Sequence, residues 1–157
     1  MSKRIAVIGI GNILRRDDGI GIGVLESLLK FYKKEGIGYL NFGIASFDLL
    51  HQIENYDLVI LIDGIKAGLA VGEVKIFKLQ DIEYEHNPAI SSTHELDLKS
   101  LFELSKNLGL KAKIYVAGIQ VADTAYGEGL SAALIKRKEE IVREVSVFID
   151  KELCLPL

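Results

Sequence analysis

Three stretches of this chain are apolar at consecutive positions rather than alternate ones: Ile5-Ala6-Val7-Ile8, Leu58-Val59-Ile60-Leu61-Ile62 and Ile114-Tyr115-Val116-Ala117. A strand with one wet face alternates, because successive side chains point to opposite sides. A strand apolar at every position is covered on both faces, as in a parallel sheet between two layers of helices. Gly9, Asp63 and Gly118 close the three runs.

Helical patterns fill the spaces between them. Ile20, Val24, Leu25, Leu28, Leu29 and Tyr32 recur at three- and four-residue steps and form one stripe. Lys30, Lys33 and Lys34 follow, where they complement the helix dipole. Residues 39–42 read as a second strand, and Ser46 is placed to cap a short helix reaching about Asn55. Gly64 and Gly68 are expected to break the strand that Asp63 ends. Residues 73–79 alternate and read as an antiparallel edge strand, followed by a loop over 81–92 with Asn87-Pro88 as a turn. Leu98, Leu101, Leu104 and Leu108 make a further stripe that stops at Gly109. A last helix carries the row Leu134, Ile141, Val145 and Phe148, with Ile135, Val142 and Ile149 beside it.

The order β-α-β-α-β-β-α-β-α predicts one α/β domain over residues 1–157. Its architecture is three-layer: a mostly parallel twisted five-stranded sheet with one antiparallel edge strand, and helices on both faces. With right-handed crossovers and strand one between strands two and three, the strand order reverses between one and three. Ligands of such sheets bind outside the carboxyl ends of the strands at that switch point. The turn from Gly9 to Asp18 leaves strand one there, and Asp63 leaves strand three there.

Bulk composition removes several function classes. A net charge of -3 argues against a general nucleic-acid binder. The single Cys154 excludes an intrachain disulfide and a thiolate zinc cluster, and its apolar surroundings suggest a small hydrophobe against the core or a partner. No apolar run reaches the length of a membrane span, and no charged leader opens the chain, so the expectation is a cytoplasmic protein without a membrane partner.

The glycine turn does not suit a phosphate. A dinucleotide fingerprint needs a third glycine where Leu14 stands, Asp17 and Asp18 would repel a pyrophosphate, and no Gly-Lys-Ser/Thr occurs. The plainer alternative is a tight strand-to-helix turn with Asp17 or Asp18 as helix N-cap. Likewise Asp63 could serve only as a turn former with Gly64. Ser92 and Glu95 match a capping box, which would set His94 in the first turn of a helix. A helix N-terminus disfavours the protonated imidazole, and a neutral one is what a metal ligand requires. Two carboxylates and an imidazole brought together suit a hard-to-borderline metal ion. His51 and His86 have no comparable company. There is no Gly-x-Ser-x-Gly elbow and no His-Glu-x-x-His helix, so a hydrolase built this way would draw on a metal before a covalent triad.

Gly11-Asn12-Ile13-Leu14-Arg15-Arg16-Asp17-Asp18-Gly19-Ile20-Gly21, then Ile62-Asp63, then Ser92-Thr93-His94, resembles the nickel–iron hydrogenase maturation endopeptidases over almost the whole chain. Gly118-Ile119-Gln120 and Gly127-Glu128-Gly129-Leu130-Ser131 share the likeness. The resemblance implies a peptidase that removes the C-terminal extension of a hydrogenase large-subunit precursor after nickel insertion, using the nickel as a checkpoint. It assigns the metal to Asp18, Asp63 and His94, with Asp18 and Asp63 as catalytic candidates. Gly11, Asn12, Asp17 and Gly64 are the expected substrate-binding positions, Asp17 also orienting the turn. The Ni²⁺ would come with the substrate, whose cysteine thiolates complete its coordination. A monomer is expected. Arg15-Arg16 departs from the family pattern and would suit an acidic tail.

Two mechanisms stay open at this level: the metal polarises the scissile carbonyl or activates water, or it only locks the substrate while Asp18 or Asp63 acts as general base. Two other functions use the same residues: a non-hydrolytic nickel-binding and delivery module, and a same-fold peptidase acting on another protein.

Overall fold

The computed structural model describes residues 2–44, 47–83, 91–92 and 98–155. The chain runs through β1 (Ile5–Ile10), a 3-10 turn (Arg16–Gly19), α1 (Ile20–Phe31), β2 (Ile37–Gly43), α2 (Phe47–Ile53), β3 (Leu58–Lys66) and β4 (Val74–Lys78). A second 3-10 turn (Leu79–Glu83) leads on to β5 (Ser91–Ser92), α3 (Leu98–Asn107), β6 (Lys113–Gln120) and α4 (Ala132–Cys154).

The strand order is β2-β1-β3-β6-β4, with the short β5 paired to the end of β3. β2, β1, β3 and β6 are parallel, and β4 is antiparallel on the β6 edge. The expected reversal between β1 and β3 is therefore present. Every residue of β1, and of β3 through Ile65, is buried. Their side chains alternate between two cores. Ile5, Val7, Leu58, Ile60 and Ile62 pack with α1 and α4, while Ala6, Ile8, Val59 and Leu61 pack with α2 and α3. This is the three-layer arrangement, and it explains why those strands show no polar alternation.

Several details depart from expectation. β3 does not stop at Asp63 or break at Gly64. It continues to Lys66 because β6 pairs with it as far as Ile65↔Gln120 and β5 pairs with Ile65 and Lys66. Gly68, at φ +69°, makes the turn instead. Within the 81–92 stretch, the 3-10 turn and β5 are ordered elements; Asn87-Pro88 lies outside the described residues. Leu29 is exposed although its spacing fits the α1 stripe, and Cys154 is exposed at the end of α4 rather than packed on the core.

Helix α1 sits against the sheet as closely as a helix can. A Cβ on Gly21 would collide with the carbonyl oxygens of both Ile10 and Ile62, and one on Gly9 would lie 2.8 Å from the Gly21 carbonyl oxygen. These glycines serve close helix–strand packing rather than a phosphate.

Candidate functional site

The turn between β1 and α1 is shaped by its own polar groups. The Gly11 N–H donates to the Gly43 carbonyl at the end of β2 (2.7 Å). A Cβ on Gly11 would strike the Asp18 carbonyl oxygen, so only glycine fits there. Asn12 folds the turn on itself: its Oδ1 accepts from the Leu14 N–H (3.0 Å) and its carbonyl from the Arg15 N–H (3.0 Å). Its own backbone N–H donates to Asp18 Oδ2 (3.0 Å).

Both aspartates of this turn are buried, Asp17 wholly and Asp18 to 1% exposure, but they do different work. Neither caps α1, whose N-cap is Gly19 with no side-chain cap bond. Asp17 points to the segment between β6 and α4. Its Oδ1 accepts from the Ser131 N–H (2.6 Å), and its Oδ2 from the Ala122 N–H (2.9 Å), the Asp123 N–H (3.0 Å) and the Ser131 hydroxyl (2.8 Å). Burial alone would raise this carboxyl's pKa; the bonds from Asp123, Ser131 and Ala122 outweigh it and hold the pKa below the ordinary aspartate value. The sequence reading placed Asp17 among the substrate contacts. The structure places it beneath the site, with its acceptors turned to the protein.

Asp63 is 1% exposed and stands one position beyond the last β1–β3 pair, Gly9↔Ile62. By alternation it lies on the sheet face of Leu61 and Ile65, the α2 and α3 side. Gly64 faces the other way. A Cβ there would meet Val121 at 2.9 Å and Ile20 at 3.4 Å, with the Asp17 carbonyl oxygen 3.6 Å away. Gly64 thus lets β3 pass against the Asp17–Asp18 turn and the start of the β6–α4 segment. The structure brings Asp17, Asp18 and Asp63 to the same carboxyl edge of the sheet.

Ser92 lies in β5, paired with Ile65, and α3 is described from Leu98; Glu95 and the helix turn expected at His94 lie outside the described residues. That pairing returns the chain to a point two residues past Asp63. His94 itself lies outside the described residues. Among the described residues no group of three metal-ligating side chains comes together. Asp18 and Asp63 are two buried carboxylates at this edge, the residue type that a divalent ion or acid–base chemistry would use.

The loops around this edge are apolar and exposed: Ile13 and Leu14 after β1, Ile44 after β2, and Tyr126, 81% exposed, after β6. Arg15 donates from Nε to the Thr124 carbonyl (3.1 Å), its guanidinium 5.6 Å from the Tyr126 ring centroid, and Arg16 pairs with Asp123 at 3.6 Å. Both arginines are therefore engaged with the β6–α4 segment. Sequence reasoning had not given Ser131 a role in the site, although a serine just before Ala132-Ala133-Leu134 carries the signature of a helix N-cap. Gln120 stood in the family likeness without a stated role; its buried Oε1 accepts from the Ala67 (2.8 Å) and Leu69 (3.2 Å) N–H groups and fixes the chain as it leaves β3.

Comparison with known proteins gives concordant results. Residues 22–146 match the family model of the hydrogenase maturation proteases, HycI. The hydrogenase expression/formation protein HupM of Azotobacter chroococcum mcd 1 is 25% identical over 124 residues, 78% of this chain. The match spans 59% of that relative's own length. Among solved structures, the hydrogenase maturating endopeptidase HybD from E. coli is similar over 95% of this chain and 93% of its own, with TM-score 0.78 and 26% identity. The [NiFe] hydrogenase maturation protease HycI from Thermococcus kodakarensis KOD1 gives TM-score 0.74 and 28% identity over 94% of this chain and 93% of its own.

Proposed function

Given that the chain belongs to the hydrogenase maturation protease family, we propose that it is an endopeptidase that removes the C-terminal extension of a nickel–iron hydrogenase large-subunit precursor. The observation that carries this reading is the pair of buried carboxylates, Asp18 and Asp63, at the carboxyl edge of adjacent parallel strands. A small-molecule site would be a closed pocket with a few polar groups. Here the edge is rimmed by exposed Ile13, Leu14, Ile44 and Tyr126, which suits an extended polypeptide.

The nickel belongs to the precursor and acts as the checkpoint. Asp18, Asp63 and His94 are the residues that would hold it, two hard oxygen donors and one imidazole. Bound there, it supplies Lewis-acid polarisation of the scissile carbonyl. The chain's own contribution is to hold both carboxylates in place, out of water, where one of them can take a proton from the attacking water. No helix among the described residues is long and apolar enough to cross a membrane. We place the enzyme in the cytoplasm, acting as a monomer on a folded precursor.

The test is cleavage of the cognate precursor prepared with and without nickel, read by mass spectrometry. Loss of a C-terminal peptide from the nickel-loaded form alone is the expected result. Asp63→Asn and His94→Ala should abolish processing, a loss of at least about 100-fold, in protein that stays folded. Wild-type rates in either variant would refute the assignment of the site.

A further inference from the structure

The turn that carries Asp18 is joined to α1 by the Ile20 N–H, which donates to the Asp17 carbonyl, and is folded on itself by Asn12. The 3-10 turn has no side-chain cap, and Arg16 sits at φ +44°, a region few residues other than glycine enter. The segment over 121–131 fastens it from outside. The Gly127 N–H donates to the Leu14 carbonyl (2.9 Å), the Arg16 N–H to the Gly127 carbonyl (3.1 Å) and the Asp17 N–H to the Asp123 carbonyl (2.9 Å). Under this backbone seam lies the Asp17 carboxylate with its four donors. A carboxylate has about four acceptor sites, so Asp17 is filled by the protein and has none left for a substrate.

We propose that Asp17 and Ser131 are positioning residues for Asp18, and that the 121–131 segment is by that route part of the catalytic apparatus. The proposal rests on the reading of Asp18 as a functional carboxylate. Asp17 fastens the backbone one residue before Asp18 to a segment that begins against Gly64, itself one residue after Asp63. The two carboxylates of the site are thereby referred to a common anchor, although they come from separate strands. A displacement of about 1 Å at such a site costs up to about 100-fold in rate, so a buried clasp of this kind acts on turnover more than on binding.

The test uses the full-length protein carrying Ser131→Ala, which removes one of the four donors and leaves the backbone N–H, and Ser131→Thr, which keeps the hydroxyl. One readout needs no substrate. The Asn12 N–H donates to Asp18 Oδ2 (3.0 Å), so its amide proton resonance reports where the Asp18 carboxylate stands. The Asn12 resonance should move upfield in Ser131→Ala and return in Ser131→Thr. On nickel-loaded precursor, kcat should fall about tenfold with KM unchanged within about twofold, and Ser131→Thr should restore it. Asp17→Asn, which turns an amide donor toward N–H groups, should do more than Ser131→Ala in both readouts. An unmoved Asn12 resonance with wild-type kcat and only a lowered melting temperature would reduce the clasp to a structural brace and overturn the proposal. A raised KM with unchanged kcat would overturn it in favour of substrate binding. If Asp63→Asn cleaves normally, the functional reading fails on its own account, while the Asn12 resonance still judges the clasp.

Discussion

Two glycines two positions apart in α1 carry opposite expectations. Gly21 faces the strand ends, where a methyl group would meet the carbonyl oxygens of Ile10 and Ile62. Neither strand can yield, because both are locked in the sheet. Gly21→Ala should destabilise by at least about 2 kcal/mol, at the cost typical of overpacking a filled core. Gly23 faces the end of a flexible side chain, Lys138, whose Nζ is 3.5 Å from the added atom. Gly23→Ala should stabilise by about 0.5–1 kcal/mol, by lowering the entropy of the unfolded chain within a helix interior. Urea titration checks both: the midpoints should move in opposite directions at unchanged slope. The same scale shows where the sequence was readable. That Asp17 and Asp18 mattered was legible from two acids following a glycine turn. The family likeness assigned the metal to Asp18 and let Asp17 orient the turn; what Asp17 binds was not legible, because its donors stand 105 to 114 residues away.

At the scale of elements, the amino edge of the sheet is tied together by one ion pair and the backbone around it. Arg4 gives its backbone N–H (2.8 Å) and Nε (3.2 Å) to Asp57 Oδ2 and its Nη2 to Oδ1 (2.9 Å). The Lys113 N–H meets the Asp57 carbonyl (2.9 Å), so β1, β3 and β6 all start from this knot. The bonds from Arg4 hold the Asp57 carboxyl below its ordinary value. A lowered folded-state pKa gives stability above the unfolded value of about 3.9, lost as pH falls through the folded value. Asp57→Asn should therefore lower the melting temperature at neutral pH, and the gap to wild type should close in strong acid. The effect is small and falls with added salt, since the Arg4 side chain is exposed and that of Asp57 only half-buried. Thermal melts across pH and ionic strength check it. The parallel strands themselves were legible, because burial on both faces erases alternation. β5 was not: Ser91-Ser92 has too few residues for a period, and only the overhang of β3 beyond β1 creates its partner. The overhang was hidden for the same reason, since Gly64 looks like a breaker until the neighbouring Val121 is seen to need its space.

At the scale of the whole molecule, the gathering of carboxylates at one edge of the sheet bears on how a metal could be used. A protein that stores or delivers nickel would gather a full ligand set of its own. This chain brings Asp18 and Asp63 to the carboxyl edge, and the one further ligand proposed is His94. Three donors leave positions that a precursor's thiolates can fill, so enzyme and substrate would each hold the ion incompletely and together hold it well. Such sharing makes affinity conditional: the ion is bound tightly only in the complex, which is what a checkpoint requires. Calorimetry of the isolated protein with Ni²⁺ should therefore show weak binding, with Kd in the range of about 10 μM or above, equivalent to no more than about 7 kcal/mol. Addition of nickel-loaded precursor should give a complex that Asp63→Asn weakens. Tight binding of free Ni²⁺ by the isolated chain, with no cleavage of either precursor form, would instead favour the delivery function. The edge would then hold nickel as cargo, and the apolar rim of Ile13, Leu14, Ile44 and Tyr126 would serve to dock the recipient rather than a scissile tail.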